Sequence, residues 1–125
     1  MRLTVHPDLY AVVRLDPDAD VPSWAIAGPI SSVTRTESEL SIVCRQSDVP
    51  AGSSAERGWR ALEVAGPLHF TLTGVLASLA APLAEAGITL FALSTFETDY
   101  LLVRDRDLAR ASAALSGAGH AVGTP

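Results

Sequence analysis

Short runs in which apolar and polar residues alternate, each broken by a polar cluster, recur along the chain and predict strands joined by tight turns. The clearest case is used twice. Laid over itself at an offset of 60, the sequence matches without a gap: VTRTESELSIV (Val33–Val43) lies over LSTFETDYLLV (Leu93–Val103). Glu37 falls on Glu97, Ser38 on Thr98, Glu39 on Asp99 and Val43 on Val103. Each copy reads as strand, polar turn and strand, a β-hairpin. Ahead of the two hairpins, Tyr10–Leu15 and Trp59–Val64 correspond as runs rich in strand formers.

The connections differ in length. In the first copy Pro17, Pro22, Gly28 and Pro29 leave room for about one helical turn. In the second, Leu72, Leu76, Leu79 and Leu83 recur at spacings of 4, 3 and 4, one apolar stripe of a helix packed on a sheet. Thr71 or Thr73 is expected to cap that helix and Gly87 to end it, while Pro82 removes the bond to the carbonyl of Ser78 and predicts a kink there. After the second hairpin, Asp105 is placed to cap a helix with Leu108, Ala111 and Leu115 on one face, ended by Gly117, before His120–Val122 returns as a strand. The first copy has only the polar stretch Ser47–Gly58 at that place. The order βαββαβ, used twice, predicts an α+β, ferredoxin-like fold: two tandem modules with antiparallel sheets of four strands each, residues 1–57 and 58–125.

Composition narrows the class. The chain has 125 residues, 48% of them hydrophobic, enough for one compact domain or two very small ones sharing a core. All nine of its basic residues are Arg, scattered from Arg2 to Arg110 under a net charge of −5, which argues against nucleic acid as a partner. Cys44 stands alone and His6, His69 and His120 are far apart, so neither a disulfide, a metal site nor a cofactor is indicated. Pro7 and Asp8 interrupt the N-terminus before a run of signal-peptide length, and no run approaches the ~18 apolar residues of a membrane span. A cytoplasmic protein without a membrane partner is expected. Catalytic signatures are missing too: there is no Gly-rich phosphate loop, His-Glu-x-x-His pattern or nucleophile elbow. Asp16, Asp18 and Asp20 resemble a calcium loop only superficially, since Val21 and Ala27 stand where its glycine and closing glutamate belong. An enzyme is not expected.

Candidate chemistry gathers in the second copy. A helix start at Thr73-Gly74-Val75 presents unpaired N–H groups and a partial positive charge, suited to a carboxylate. Asp99, on the hairpin after that helix, could hold an ammonium or a cationic side chain. Ser94, Thr95 and Thr98 add hydroxyls and Phe96 an apolar wall. Plainer readings stand beside these: Gly74 as a loop glycine, Asp99 as a turn former, Ser94 and Thr95 as strand residues, Phe96 as core, His69 as an exposed loop histidine. Cys44 reads as a small buried hydrophobe, and Trp24 and Trp59 as anchors.

The run GITLFALSTFETDYLLV, preceded by PLHFTLTGVLASLAAPLAEA and followed by RDRDLARA, resembles the ACT domain. Within that family it is similar to the branch typified by the CASTOR arginine sensors and their bacterial relatives, through LAEAGI, STF and TDY-L-L-V. The resemblance runs from about residue 8 to residue 122, with VTRTESELSIV similar to the degenerate hairpin of the sensors' first module. It implies a regulatory module that binds an amino acid or similar metabolite at a module interface, without catalysis. Carried over by position, it implies Leu72, Thr73, Gly74 and Leu76 at the helix start and Thr95, Phe96 and Asp99 at the strand end as ligand contacts. Thr89 and Leu90 would complete the pocket from the facing module. His69 and the apolar Leu72 depart from the family pattern, which argues against arginine itself. The sensors carry four modules and this chain matches half of that, which implies a homodimer, acting on a regulated protein that the sequence does not name. The alternative is a ligand-free assembly module that pairs through sheet edges.

Overall fold

A computed structural model describes residues 1–66 and 73–124. Among these, β1 (Arg2–Leu15), β2 (Ser32–Arg35), β3 (Leu40–Arg45), β4 (Ala55–Val64), α1 (Val75–Glu85), β5 (Leu90–Ser94), β6 (Asp99–Arg104), α2 (Leu108–Gly117) and β7 (Ala121–Gly123) follow in order. They fall into an N-terminal unit, Asp8–Trp59, and a C-terminal unit, Met1–Pro7 with Arg60–Pro125. This differs from the expected division at residue 57. The first seven residues belong with the C-terminal unit because Arg2–Thr4 of β1 pairs with β7, and Leu3 and Val5 enter that unit's core. The strand read as starting at Tyr10 runs back through Pro7, whose fixed φ is compatible with extended backbone.

In the N-terminal unit the strand order is β4-β1-β3-β2, the ferredoxin-like order. Tyr10–Leu15 runs antiparallel to β3, and β3 antiparallel to β2. Alternation sends Ala11, Val13, Leu40, Ile42 and Cys44 to one face, where Ala25 and Val49 complete the core. Short 3-10 turns, Ser23–Ile26 and Gln46–Asp48, stand in the places of helices. Pro50 explains the second. It disfavours helical backbone in the residue before it, and Val49 is extended at φ −82, ψ 125, whereas Leu108 at the matching place is helical at φ −58, ψ −45.

In the C-terminal unit the order is β7-β1-β4-β6-β5, and β7 runs parallel to β1. The expected four-stranded antiparallel sheet is thus corrected to five strands with one parallel pair, the added strand being Arg2–Pro7. Leu3, Val5, Leu62, Val64, Leu101 and Val103 meet Leu79 and Leu83 of α1 and Ala111 and Leu115 of α2. Both helices end in Schellman motifs. Ile88 N–H donates to Leu83 O (2.9 Å) and Gly87 N–H to Ala84 O (3.0 Å); His120 N–H donates to Leu115 O (3.0 Å) and Gly119 N–H to Ser116 O (3.0 Å). Gly87 and Gly119 take the left-handed positions at φ 71 and φ 95, so Gly119 and not Gly117 closes α2. The expected caps differ as well. α1 is entered through Gly74 at φ 76 with no side-chain cap from Thr73, Thr71 lies outside the described residues, and Asp105 belongs to a 3-10 turn, Asp105–Asp107, ahead of α2.

The two hairpin turns close alike, and their closure revises the repeat. Thr36 N–H donates to Glu39 O (2.9 Å) and Thr95 N–H to Thr98 O (2.8 Å), while each Thr hydroxyl accepts from the N–H three residues on. The last ladder pairs are Arg35 with Leu40 and Ser94 with Asp99. Equivalent residues are therefore 59 apart rather than 60, which also aligns Arg45 with Arg104 and Asp48 with Asp107. Glu39 then matches Thr98, and Asp99 matches Leu40. A one-residue shift exchanges the faces of a strand, so this correction changes which residues are equivalent in the two cores.

α1 runs on through Pro82, which has no N–H to give the carbonyl of Ser78. His120, just beyond the glycine that closes α2, places Nε2 3.1 Å from that oxygen and supplies a donor. We expect His120→Ala to lower stability by about 0.5–1.5 kcal/mol in urea denaturation. Adding Pro82→Ala, which restores the N–H, should recover part of that loss, and purely additive effects would rule out the substitution of one donor for the other.

Candidate functional site

Polar groups of the C-terminal unit concentrate at one end of its sheet. β4 ends at Val64, from which the chain leads towards α1; the turn between β5 and β6 is fastened to the same point, because Thr98 Oγ1 donates to Val64 O at 2.6 Å. Thr98 is 7% exposed, and this bond satisfies its hydroxyl. Thr95 Oγ1 donates to Thr98 O (3.1 Å) and accepts from Thr98 N–H (3.3 Å), bracing the turn from within. Asp99 and Ser94 are ladder partners, and Ser94 Oγ donates to Asp99 Oδ1 at 2.7 Å. Asp99 is half-buried and by alternation shares the helix-facing side of β6 with Leu101 and Val103. Phe96, at the tip, is 79% exposed and lies outside the core.

The other expected contacts are placed as follows. Thr73, Gly74 and Leu76 are exposed at the start of α1, with Val75 half-buried against the core, and Leu72 lies outside the described residues, as does His69. Thr89 is exposed and Leu90 packs on the core, both at the start of β5. That is the end of the strand away from Ser94, about 13 Å distant for a strand of this length. One copy of the unit therefore brings Ser94, Thr95, Thr98 and Asp99 together but does not bring Thr89 and Leu90 to them.

A second polar cluster escaped the sequence reading. His6 Nε2 lies 2.8 Å from Glu63 Oε1, the Tyr100 hydroxyl is hydrogen-bonded to Glu63, and the His6 and Tyr100 rings lie 6.3 Å apart. Arg60 donates to the carbonyl of His6 (3.1 Å) and pairs with Asp105 (3.2 Å). His6, Glu63 and Tyr100 alternate with core residues on β1, β4 and β6, so the signal in each strand was present; which strands are neighbours was not. Burial, and then the charge and hydrogen bond of Glu63, push the Tyr100 phenol above its ordinary 10.0. Cys44 is fully buried, as expected, and burial followed by the charge of Asp48 raises its thiol, which keeps it protonated and unreactive. Among the described residues no three His, Cys, Asp or Glu side chains are grouped to hold a metal ion, and no helix is long and apolar enough to cross a membrane.

Fold and site together define a ferredoxin-like α+β protein whose polar turn and first helix start from one end of a sheet. Residues 54–117 match the family model described as ACT domain, and the chain belongs to that family. Residues 8–52 match a second model, described as an N-terminal domain. The crystal structure of protein Atu0741 from Agobacterium tumefaciens is similar at a TM-score of 0.91 and 38% identity, over 97% of this chain and 90% of that one. The human cytosolic arginine sensor for mTORC1 subunit 1 is 38% identical over 79 residues, 62% of this chain and 23% of the sensor, so the chain spans about a quarter of that relative. The regulatory subunit of aspartate kinase from Thermus thermophilus, in its ligand-free form, shares the fold at a TM-score of 0.64 and 11% identity, over 92% of this chain and 97% of that one.

Thr98→Val keeps the shape of the side chain and removes the bond to Val64. It is expected to cost about 1–3 kcal/mol in urea denaturation, with Thr98→Ser close to the parent. Tyr100 sets a pH dependence of known sign. Its folded value is raised, so its contribution is intact below pH 10.0 and is lost as pH climbs through the raised value. The parent should therefore lose stability more steeply above pH 10.0 than Tyr100→Phe, and parallel curves would remove the assignment.

Proposed function

We propose that this ACT protein is a regulatory, non-catalytic sensor of an amino acid, bound at an interface between modules with the C-terminal unit supplying the polar contacts. Asp99 carries this reading. It occupies the position at which the N-terminal unit has Leu40, which is fully buried. A carboxylate on a core-facing row gives up hydrophobic stabilisation, and local choices that work against the fold are expected where function requires the group. Ser94 holds Oδ1, and Oδ2 is available for an ammonium or a cationic side chain. The turn Thr73-Gly74 and the first N–H groups of α1, at Val75 and Leu76, start from the same end of the sheet and suit the carboxylate of the same ligand.

Within this reading Thr95 and Thr98 position the turn, and Phe96 supplies an exposed apolar wall. Thr89 and Leu90, at the far end of β5, serve the facing module of a second copy, which makes a homodimer part of the proposal. Leu72, just ahead of the helix, is apolar and argues against arginine as the ligand. The name of the human relative supports an amino acid as the signal and the cytosol as the location. A regulated protein partner belongs to the same reading, and co-purification with the chain in the presence and absence of the bound amino acid would reveal it.

One observation favours a second reading. β5 is an edge strand, apolar on both faces with Leu90 and Ala92 on one side and Phe91 and Leu93 on the other, and such an edge can pair with another chain without any ligand. Calorimetric titration with each standard amino acid separates the two. The sensor reading expects a specific hit that weakens about tenfold or more in Asp99→Asn, from loss of a charge-assisted bond. Equal binding by the variant would reject the site, and a dimer that stays silent to every amino acid would favour assembly.

A further inference from the structure

The N-terminal unit carries an open groove of about 290 Å³ on the face of its sheet opposite the core. Its floor crosses three strands: Val12 and Arg14 on β1, Ser41 on β3, and Ala55 and Glu56 on β4, so that Glu56 brings a second carboxylate to the groove beside Glu39. Arg14 is the ladder partner of Ser41, and its backbone N–H donates to Ser54 O at 3.0 Å, so the guanidinium stems from the middle of a hydrogen-bonded platform. One of its nitrogens donates to the carbonyl of Ser38 at 3.0 Å, which leaves most of its five N–H donors for other acceptors. Glu39 borders the groove, half-buried, and its carboxylate has no hydrogen-bond partner among the described residues.

The C-terminal unit shows what closes such a platform. Under the 59-residue register of the hairpins Ser41 matches Tyr100; along the strands ahead of them, where equivalent residues are 49 apart, Arg14 matches Glu63, as Val13 matches Leu62 and Leu15 matches Val64 on the two core-facing rows. There the Tyr100 ring stands on the face away from the core and its hydroxyl is bonded to Glu63, whose Oε1 lies 2.8 Å from His6 Nε2. In the N-terminal unit a serine replaces the ring and an arginine replaces the carboxylate. The aromatic cover is gone and the central charge is reversed.

We infer that this groove is a second small-molecule site, separate from the turn at Asp99, and that it takes a free amino acid as its zwitterion. The guanidinium of Arg14 receives the ligand carboxylate, Glu39 receives the ammonium, and Val12 and the hydroxyl of Ser41 line the space between. A ligand carrying charge of one sign would face a like charge either at Arg14 or at the carboxylates Glu39 and Glu56.

The test is NMR titration of the isotope-labelled full chain with each standard amino acid at millimolar concentration. Amide signals of Val12–Leu15 and Ser54–Glu56 report on the groove, while those of Thr73–Leu76 and Ser94–Asp99 report separately on the site proposed above. At least one amino acid should move the groove signals. That affinity should fall about tenfold or more in Arg14→Gln, the loss expected for a charge-assisted hydrogen bond. Ser41→Tyr, which restores the aromatic cover and keeps Arg14, should abolish the response in a protein with an otherwise native spectrum. Groove signals unmoved by every amino acid, or a response unchanged in both variants, would overturn the assignment whatever the signals at Asp99 do.

Discussion

The closure of the two hairpin turns is the constraint on which most of the structure depends. In each, a threonine N–H bonds the carbonyl three residues on while its hydroxyl accepts the returning N–H, so the strands can pair in only one register. That register sends Ile42 and Cys44 in one unit, and Leu101 and Val103 in the other, into separate cores. It also leaves one helix-facing place at the head of each returning strand. In the N-terminal unit the place is filled by Leu40, and in the C-terminal unit by Asp99.

The sequence shows how much of this can be read directly and where direct reading fails. Both hairpins, the helix with Leu79 and Leu83 inward, the helix with Ala111 and Leu115 inward, and the end of α1 at Gly87 follow from periodicity and from glycine's access to positive φ. The repeat was visible too, but the similarity of Glu37-Ser38-Glu39 to Glu97-Thr98-Asp99 drew it one residue out of register. Similarity among polar turn residues is a weak guide, since turn chemistry favours the same few residue types at several adjacent positions. Hydrogen bonds, which the sequence does not display, decide it. The pairing of Arg2–Thr4 with β7 was invisible for a related reason: a parallel pair between the two ends of a chain leaves no mark on local pattern. Of the candidate site, the turn residues Ser94 to Asp99 were legible as a group. The role of Thr98 as an anchor to Val64 was not, because it depends on a contact across 34 residues.

Single residues account for the difference between the two units. Both leave their third strand through an arginine into a 3-10 turn that ends in aspartate, Arg45 to Asp48 and Arg104 to Asp107. Leu108 then continues into α2, while Val49 meets Pro50 and turns away. The N-terminal unit thus covers its core with turns instead of two helices, and it does so with a smaller set of buried side chains. The C-terminal unit keeps a proline of its own within α1 and tolerates it, because the orphaned carbonyl of Ser78 has His120 to bond. A proline ends one helix and is accommodated in the other, depending on whether a donor is within reach.

The same logic separates the two faces that carry charge. A polar group on a strand is stabilised either by neighbours of its own sheet or by something from outside it. His6, Glu63 and Tyr100 satisfy one another, and burial of the Tyr100 ring favours its neutral form, so that face is complete. Asp99 is only half completed by Ser94, and the Arg14 platform is completed on one side by Ser38. At that core-facing position a leucine in place of Asp99 would extend the buried row of Leu101 and Val103. An acid there, beside a turn locked by Thr95 and Thr98, has one oxygen held by Ser94 and forgoes the apolar contact a leucine would make, which is the local conflict that the proposed site rests on.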